Sequence, residues 1–281
     1  MQYEFYIAKS TISEIVRETC RVIWSSLKDI EMPQPTEEMW LEIAETFYLK
    51  TNFPNSVGSV DGKHVRCRNP RKSGSLFFNY KKFYSVVLMA VADANLRFVA
   101  IDVGAYGKEG DSTVFRDSPL GKKLYSGILN LRKPRCLSGT EMHPQPFVFV
   151  GDEAFKLNTH LLRPFPARNL TPLRRVFNYR LSRCRRTVEC AFGIMANKWW
   201  VFHSPILVHP NFVDDIIKAC CILHNFVRKR DGVNFEDAET HPFVEVQNCG
   251  PAVHGRGNDI RDFFANYFMG PGAVPFQRNY V

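Results

Sequence analysis

A short apolar run that ends on a carboxylate places the strongest constraint on the fold of this chain. Residues 147–150 read Phe-Val-Phe-Val, and Gly151 and Asp152 follow directly. Such a run is typical of a buried strand. Ligands of open α/β sheets bind just beyond the carboxyl ends of strands. The sequence therefore predicts a strand whose end presents Asp152 at a functional edge of a sheet.

A long amphipathic segment follows at residues 178–200 and carries Glu189. Its apolar positions recur three or four residues apart, which predicts a helix with one face toward the core. These positions are Leu181, Cys184, Val188, Phe192 and Met195. Glu189 lies at the edge of that face, with Arg185 and Arg186 about one turn before it. Two interpretations stay open at this point, an ion-paired helix glutamate or a carboxylate of a functional site.

The remaining hydrophobic pattern predicts an α/β chain. Helices are expected at residues 7–24, 36–50, 111–124, 156–162 and 212–227, strands at 57–67, 83–93 and 97–103, and loops at 104–110 and 127–146. Ser10 and Thr36 are the expected N-caps of the first two helices. Strands joined by tight turns pair antiparallel, and a strand after an intervening helix joins in parallel. We therefore expect a mixed sheet with helices on both faces, plus N-terminal helices.

The charge balance predicts a polyanionic partner. The 281 residues carry a net charge of +9 with a pI of about 9.2, which favours nucleic acid, although a generic basic surface gives the same total. The eight cysteines form no Cys-x-x-Cys pair, which indicates reduced, intracellular usage. No secretory signal opens the chain, and its longest apolar run is too short to span a bilayer, so no membrane partner is expected.

Several carboxylates are expected to converge at one edge of the sheet. They are Asp61 in the first strand, Asp111 after the third, Asp152 at the end of the fourth and Glu189 on a later helix. Converging carboxylates raise each other's pKa values, and a divalent ion such as Mg²⁺ resolves that repulsion. Two such ions can activate a water and stabilise the leaving oxygen of a phosphodiester, which indicates a nuclease or a strand-transfer enzyme.

Three of these carboxylates also have purely structural interpretations. Asp61 and Gly62 form a common turn dipeptide, which would interrupt the first strand. Asp111 could serve only as a helix N-cap, and Asp152 only as a turn residue at the strand end. His64 is expected on an exposed strand face, with an approach to the metal or the substrate as the alternative. His224 and Asn225 are expected to form a structural hydrogen-bonding pair.

Five motifs carry a more specific signal because they occur together and in order between about residues 53 and 227. They read FPNSVGSVDGKHV at 53–65, DVGAYGKEGDSTVF at 102–115, VGDEAFKL at 150–157, RRTVECAFG at 185–193 after Asn178, and CCILHNF at 220–226. Together they resemble the DDE endonuclease domain of the PIF/Harbinger transposase family, including the nucleases domesticated from it. Two departures, Gly110 in place of a frequent histidine and Ala196 in place of a basic residue, weaken the prediction of full transposition and leave the acidic centre intact.

The resemblance implies an RNase H-like fold and a set of roles. Asp61, Asp152 and Glu189 would be the catalytic triad, and the same three with Asp111 would bind a divalent cation, Mg²⁺ or Mn²⁺. DNA is the implied substrate, with a Myb-like DNA-binding protein and an oligomer as further implied partners. The implied location is the nucleus, alone or together with the cytoplasm.

A group of arginines around Glu189 is expected to bind DNA phosphates, although a solvated basic helix face is the alternative. The group consists of Arg174, Arg175, Arg180, Arg183, Arg185 and Arg186.

The expected organisation has three parts. Residues 1–50 would form an N-terminal helical region that resembles part of a helix-turn-helix and looks truncated, with a plain packing helix as the alternative. Residues 53–228 would form the DDE endonuclease domain, and residues 229–281 a polar C-terminal tail with one short helix. The predicted function is metal-dependent cleavage of DNA. The alternative is a catalytically silent domesticated transposase that acts as a DNA-binding or scaffold protein.

Overall fold

The fold is built on one five-stranded mixed sheet. A computed structural model describes residues 6–168, 170–231 and 256–280. The strands are β1 (Ser56–Arg66), β2 (Ser85–Ala92), β3 (Phe98–Tyr106), β4 (Val148–Val150) and β5 (Leu161–Leu162), in the order β3-β2-β1-β4-β5. The helices are α1 (Lys9–Glu31), α2 (Glu37–Thr51), α3 (Asp111–Asp117), α4 (Pro119–Tyr125), α5 (Pro172–Lys198), α6 (Pro210–Asp231) and α7 (Arg256–Met269). Two short 3-10 helices cover Trp200–Phe202 and Pro275–Tyr280.

The pairing directions follow the connections between strands. β1, β2 and β3 form an antiparallel meander in which Ser59 lies opposite Ala92 and Arg66 lies opposite Ser85. β4 pairs with β1 in parallel, because α3, α4 and a long loop bring the chain back before β4 begins. β5 then adds to β4, also in parallel.

Helices cover both faces of the sheet through separate apolar clusters. Along β2 the side chains alternate, so that Val87 and Met89 enter the first cluster while Val86 and Leu88 enter the second. The first cluster also contains residues of α2, α7 and the first half of α5. The second contains residues of α6 and the second half of α5. The predicted mixed sheet with helices on both faces is confirmed.

Helices near both ends of the chain share this core. On α2, the Trp40 ring meets Phe149 of β4 edge-on, with 5.6 Å between the ring centroids. On α7, Phe264 stacks on Phe53 with 5.5 Å between centroids. The three-part organisation stays a prediction. Residues 232–255 of the expected tail, and residues 1–5 of the expected N-terminal region, lie outside the described residues.

β1 corrects the expected interruption at Asp61 and Gly62. The strand is continuous, and these residues pair with Ala90 and Met89 of β2. Ladder hydrogen bonds to a buried central strand hold the dipeptide extended, and this outweighs its turn preference. β3 likewise continues to Tyr106, into a segment that was expected to be a loop.

The prediction of a helix at residues 156–162 is wrong. Asn158 makes a turn instead, and its Oδ1 accepts a 2.8 Å hydrogen bond from the backbone N–H of His160. Leu161 and Leu162 then form β5 against β4. A strand of two residues is too short to show a periodic pattern, so the apolar pair alone cannot distinguish this strand from a helix.

The N-terminal helices show one expected cap and one correction. Thr36 caps α2, and its Oγ1 accepts a hydrogen bond from the Met39 N–H at 3.3 Å. α1 begins at Lys9 after Ala8, so Ser10 lies within the first turn and does not cap the helix. None of the described helices combines the length and the apolar content that a membrane crossing requires.

Candidate active site

The register between β1 and β4 places two carboxylates side by side. Ser59 of β1 lies opposite Val150, the last residue of β4, and two residues farther along lie Asp61, within β1, and Asp152, just beyond the end of β4. The Ser59 hydroxyl donates a 3.1 Å hydrogen bond to the backbone oxygen of Arg185 on α5. Alternate residues of a strand share one face, so Asp61 also faces α5.

Asp111 reaches the same place from the first turn of α3. Single carboxylate oxygens of Asp61, Asp111 and Asp152 all lie within 4.8 Å of one another. Gly62 makes this approach possible, because a Cβ atom at that position would lie 2.6 Å from Cγ of Asp111. The N-cap of α3 is Gly110, so Asp111 sits one residue inside the helix and does not cap it.

Backbone amides hold two of these carboxylates in place. The N–H of Gly62 donates to Oδ1 of Asp61 at 2.9 Å. The N–H of Ala154 donates to Oδ1 of Asp152, also at 2.9 Å. Each amide satisfies one lone pair, so the other carboxylate oxygen is available to a ligand.

Glu189 lines the same cleft but stands apart from the group of three. Its Oε1 accepts a 3.1 Å charge-assisted hydrogen bond from Nη2 of Arg185, one turn earlier on α5. The Glu189 side chain is 38% exposed and that of Arg185 only 11%. One of the two interpretations of Glu189 that the sequence left open was an ion pair. That ion pair is present, at the rim of the acidic group.

The acidic group is electrostatically strained without a cation. Burial, together with the negative charges of Asp152 and Glu189, raises the pKa of Asp61 to about 7 against the opposing charge of Arg185. Burial, together with the charges of Asp61 and Asp152, likewise raises the pKa of Asp111 to about 8. Oxygen-only donors at this spacing fit a hard divalent cation such as Mg²⁺ or Mn²⁺, whose charge would offset the repulsion.

The three carboxylates open into a cleft of about 1110 Å³. α5 forms one wall, with Asn178, Ser182 and Arg185. β1 and the connection from β1 to β2 form the other. His64 lies on this second wall, half-buried, and its Nδ1 is 2.9 Å from the Ser85 hydroxyl. Burial and the charges of neighbouring lysines lower the pKa of His64 to about 4, so the ring is neutral.

A family comparison matches the centre of the chain. The model of the DDE superfamily endonucleases matches residues 60–225, which is more than half of the sequence and contains all four carboxylates. The chain belongs to the DDE superfamily endonucleases. The resemblance to the PIF/Harbinger group and the RNase H-like fold class are thereby confirmed.

Relatives of this chain carry related names. "Protein ALP1-like" from Arabidopsis thaliana is 25% identical over 277 residues, which cover 95% of this chain and 66% of the relative. "Putative nuclease HARBI1" is 24% identical in both Bos taurus and Homo sapiens, over 68% of this chain and 51% of each relative. The chain thus spans just under two thirds of the first relative's length and about half of the others. No solved structure matches this chain.

The arginines expected to bind DNA are spread around α5. Arg174 places its guanidinium over Phe165, Arg183 places its own over Phe276, and Arg185 lines the cleft. Arg175 and Arg186 are exposed. The expectation that Arg180 binds DNA is wrong.

Arg180 is buried and belongs to the core of the protein. Its guanidinium donates to the side chain of Gln277 at 2.9 Å and to the backbone oxygen of Gly272 at 3.2 Å. A buried guanidinium with these partners has no surface for a phosphate. Sequence alone cannot separate Arg180 from its neighbours, because the segment that covers it, near the C-terminus, is almost a hundred residues away.

The second wall of the cleft contains side chains that were not among the predicted site residues. Lys63, Arg66, Tyr80 and Lys81 all line it. The run Tyr-Lys-Lys-Phe at residues 80–83 was a usable signal, because interleaved basic and aromatic residues are typical of nucleic-acid surfaces.

The structural pair predicted on α6 is present. Nε2 of His224 donates to the Leu96 oxygen at 2.7 Å, and the Asn225 amide bonds both backbone groups of Phe98.

Proposed function

We propose that this chain is a divalent-metal-dependent endonuclease that cleaves DNA phosphodiester bonds. The observation that carries the proposal is the group formed by Asp61, Asp111 and Asp152, whose oxygens lie within 4.8 Å of one another at the edge of the sheet. Nothing in the packing of the core requires three carboxylates at this point. Membership of the DDE superfamily endonucleases gives the same reaction class.

Each carboxylate has a part in this proposal. Asp61 of β1, Asp152 after β4 and Asp111 of α3 would hold a divalent cation. Bound divalent cations would supply Lewis-acid stabilisation of the phosphate and a water activated for attack. Glu189 completes the acidic centre from α5. Arg185 holds Glu189 at the rim and neutralises its charge while no cation is bound.

The substrate and setting belong to the same proposal. The net charge of +9 favours a polyanion, and the proposed substrate is nuclear DNA. As the resemblance to the PIF/Harbinger family implies, we propose that sequence recognition comes from a Myb-like DNA-binding partner. An oligomer would bring two acidic centres to one DNA site.

One observation favours the silent alternative. Glu189 is ion-paired with Arg185 and lies outside the group of three carboxylates. If that pair persisted in the presence of cation and DNA, the chain would bind DNA without cleaving it. The acidic group would then be a relic of the ancestral enzyme.

Plasmid nicking separates the two functions. Supercoiled plasmid is incubated with the protein in Mg²⁺, in Mn²⁺ or in EDTA. We expect nicked circles with the wild type in either metal and none in EDTA. Asp152→Asn should abolish nicking. Asp117→Asn is the matched control, because this exposed aspartate of α3 pairs only locally with Arg116 at 2.9 Å, and it should nick like the wild type. Equal nicking by both variants would end the proposal.

A further inference from the structure

The connection from β1 to β2 has a one-sided charge. Residues 66–84 contain six lysines and arginines and no aspartate or glutamate. The basic residues are Arg66, Arg68, Arg71, Lys72, Lys81 and Lys82. All six are exposed. A connection of this length without regular secondary structure is uncommon in a compact domain and is usually functional.

Hydrogen bonds hold this connection in a defined shape. The Asn79 amide donates to the Ser85 hydroxyl at 2.9 Å, and its Oδ1 accepts from the Phe83 N–H at 3.2 Å. The Ser85 N–H donates to the oxygen of the buried Phe77 at 2.8 Å. These bonds fix the return of the chain into β2, so the basic residues project from a preformed surface.

A second set of bonds ties the connection to the segment after α5. The N–H of Arg68 donates to the Ile206 oxygen at 3.1 Å, and the N–H of Ile206 donates to the Arg66 oxygen at 3.0 Å. The base of the connection therefore moves with the segment that leaves α5. A wall fixed in this way loses little conformational entropy when a ligand binds.

One end of the connection opens on the acidic cleft. Arg66, Tyr80 and Lys81 line the same cleft as the three carboxylates. The Arg66 guanidinium lies 4.5 Å from the centre of the Phe83 ring, and Nζ of Lys81 lies 5.4 Å from that of Tyr80. The aromatic rings support the two cations at the cleft mouth. Arg68, Arg71 and Lys72 carry the positive charge onward, away from the cleft.

We propose that residues 66–84 form a phosphate-binding wall that holds the DNA backbone on the far side of the cleft from α5. The inference rests on the proposed function, because the acidic group repels DNA unless nearby cations compensate. Arg185 is the α5 arginine nearest to that group, and its charge is already shared with Glu189. The β1–β2 connection supplies the remaining compensation and a track for neighbouring phosphates.

The test measures DNA binding in EDTA, so that its result does not depend on cleavage. The probe is a short fluorescein-labelled DNA duplex, and anisotropy is followed over a series of salt concentrations. The wall variant is Arg68→Ala/Arg71→Ala/Lys72→Ala, which leaves the cleft lining intact. The matched control is Lys28→Ala/Lys50→Ala/Lys229→Ala, which removes the same charge. These three exposed lysines lie toward the opposite end of the sheet, where Lys50 bonds Asn95 in the β2–β3 turn.

We expect the wall variant to bind at least about tenfold more weakly than the control triple at moderate salt. Its plot of log affinity against log salt should be shallower by about 2 to 3, since each phosphate contact contributes roughly 0.9. The charge-conserving triple Arg68→Lys/Arg71→Lys/Lys72→Arg should keep the wild-type slope, which separates lost charge from lost folding.

Two results would overturn the inference. One is an equal affinity and slope for the wall variant and the control triple. The other is wild-type protein that does not bind the duplex even at low salt. Either result is distinct from failure of the proposed function, which would appear as DNA binding without metal-dependent nicking. In that case the wall would stand and the nuclease assignment would fall.

Discussion

Glu189 is the residue at which the enzyme and the silent protein differ most clearly. We expect Glu189→Gln to abolish nicking, because it removes a charged ligand from a centre that has to hold cations in register. The fold should survive. Gln is a good helix former, and loss of a partly exposed ion pair costs at most about 1 kcal/mol. Nicking and thermal denaturation of the same preparation provide both readouts.

Glu45 offers a matched control for this substitution. It is also a helix glutamate paired with an arginine, since its Oε1 lies 3.8 Å from Nη1 of Arg135, but it is exposed on α2. Glu45→Gln should leave nicking at the wild-type level. An active, folded Glu189→Gln protein would remove Glu189 from the centre and leave a site of three aspartates.

Gly62 tests whether the close approach of Asp111 matters. Gly62→Ala would place a Cβ atom against the Asp111 carboxylate and displace it from the other two aspartates. We expect metal affinity and nicking to fall at least tenfold while the sheet still forms. Isothermal titration with Mn²⁺ measures the first effect. Gly110→Ala is the control, because a Cβ there meets no atom within 4 Å. Equal Mn²⁺ affinities for the two variants would mean that Asp111 is not a ligand.

At the scale of elements, α5 joins the core to the cleft. Val176 and Leu181 in its first half pack in one apolar cluster, while Phe192 and Met195 in its second half pack in the other. The face between them carries Arg185 and Glu189 into the cleft. The sequence predicted this helix and its core face, because its period is sustained over many residues. It could not predict which arginines turn inward.

The site was more predictable than some of the elements that build it. The strand pattern and the order of elements were enough to predict that Asp61, Asp111 and Asp152 converge, while their roles stay a prediction. The continuous β1 was not predictable, because the Asp-Gly turn preference is local and the β2 ladder that overrides it is not. The role of the β1–β2 connection could not be predicted from the sequence, for a related reason. Nothing local shows that residues 66–84 bend back to the cleft.

The junction of α6 with β3 predicts an acid-sensitive contact. Burial, against the hydrogen bond to Leu96 and with help from the charge of Arg228, lowers the pKa of His224 from 6.5 to about 4. Between these pH values the unfolded chain binds more protons than the folded one. Stability from this group is therefore complete above pH 6.5 and is lost as the pH falls toward 4.

His224→Gln removes this titration. The free energy of unfolding of the wild type should fall by up to roughly 3 kcal/mol more than that of the variant between pH 6.5 and 4. Urea denaturation at several pH values gives the difference directly. Parallel pH profiles for the two proteins would show that His224 does not control the acid response.

At the scale of the whole molecule, cation binding should appear as stability. A ligand that binds only the folded state stabilises it by about 2.7 kcal/mol at a hundred times its Kd. We expect Mg²⁺ or Mn²⁺ to raise the Tm by several degrees. Asp111→Asn should lose this rise, and it should also melt higher than the wild type in EDTA because one repelling carboxylate is gone. Asp117→Asn should keep the wild-type response in both conditions. A wild-type Tm that does not change when Mg²⁺ or Mn²⁺ is added would mean that the acidic group binds no cation.

The three-residue strand β4 makes the spacing of the chain part of the site. Asp61 and Asp152 meet only because each follows the Ser59–Val150 pair by the same two residues. One residue inserted after Val150 would turn the carboxylate to the opposite face and move it by about 3.3 Å. An insertion or deletion here would therefore separate the two carboxylates. Length differences between related chains should therefore collect in stretches such as 67–84 and 127–146, and should be missing between residues 59 and 61 and between 150 and 152.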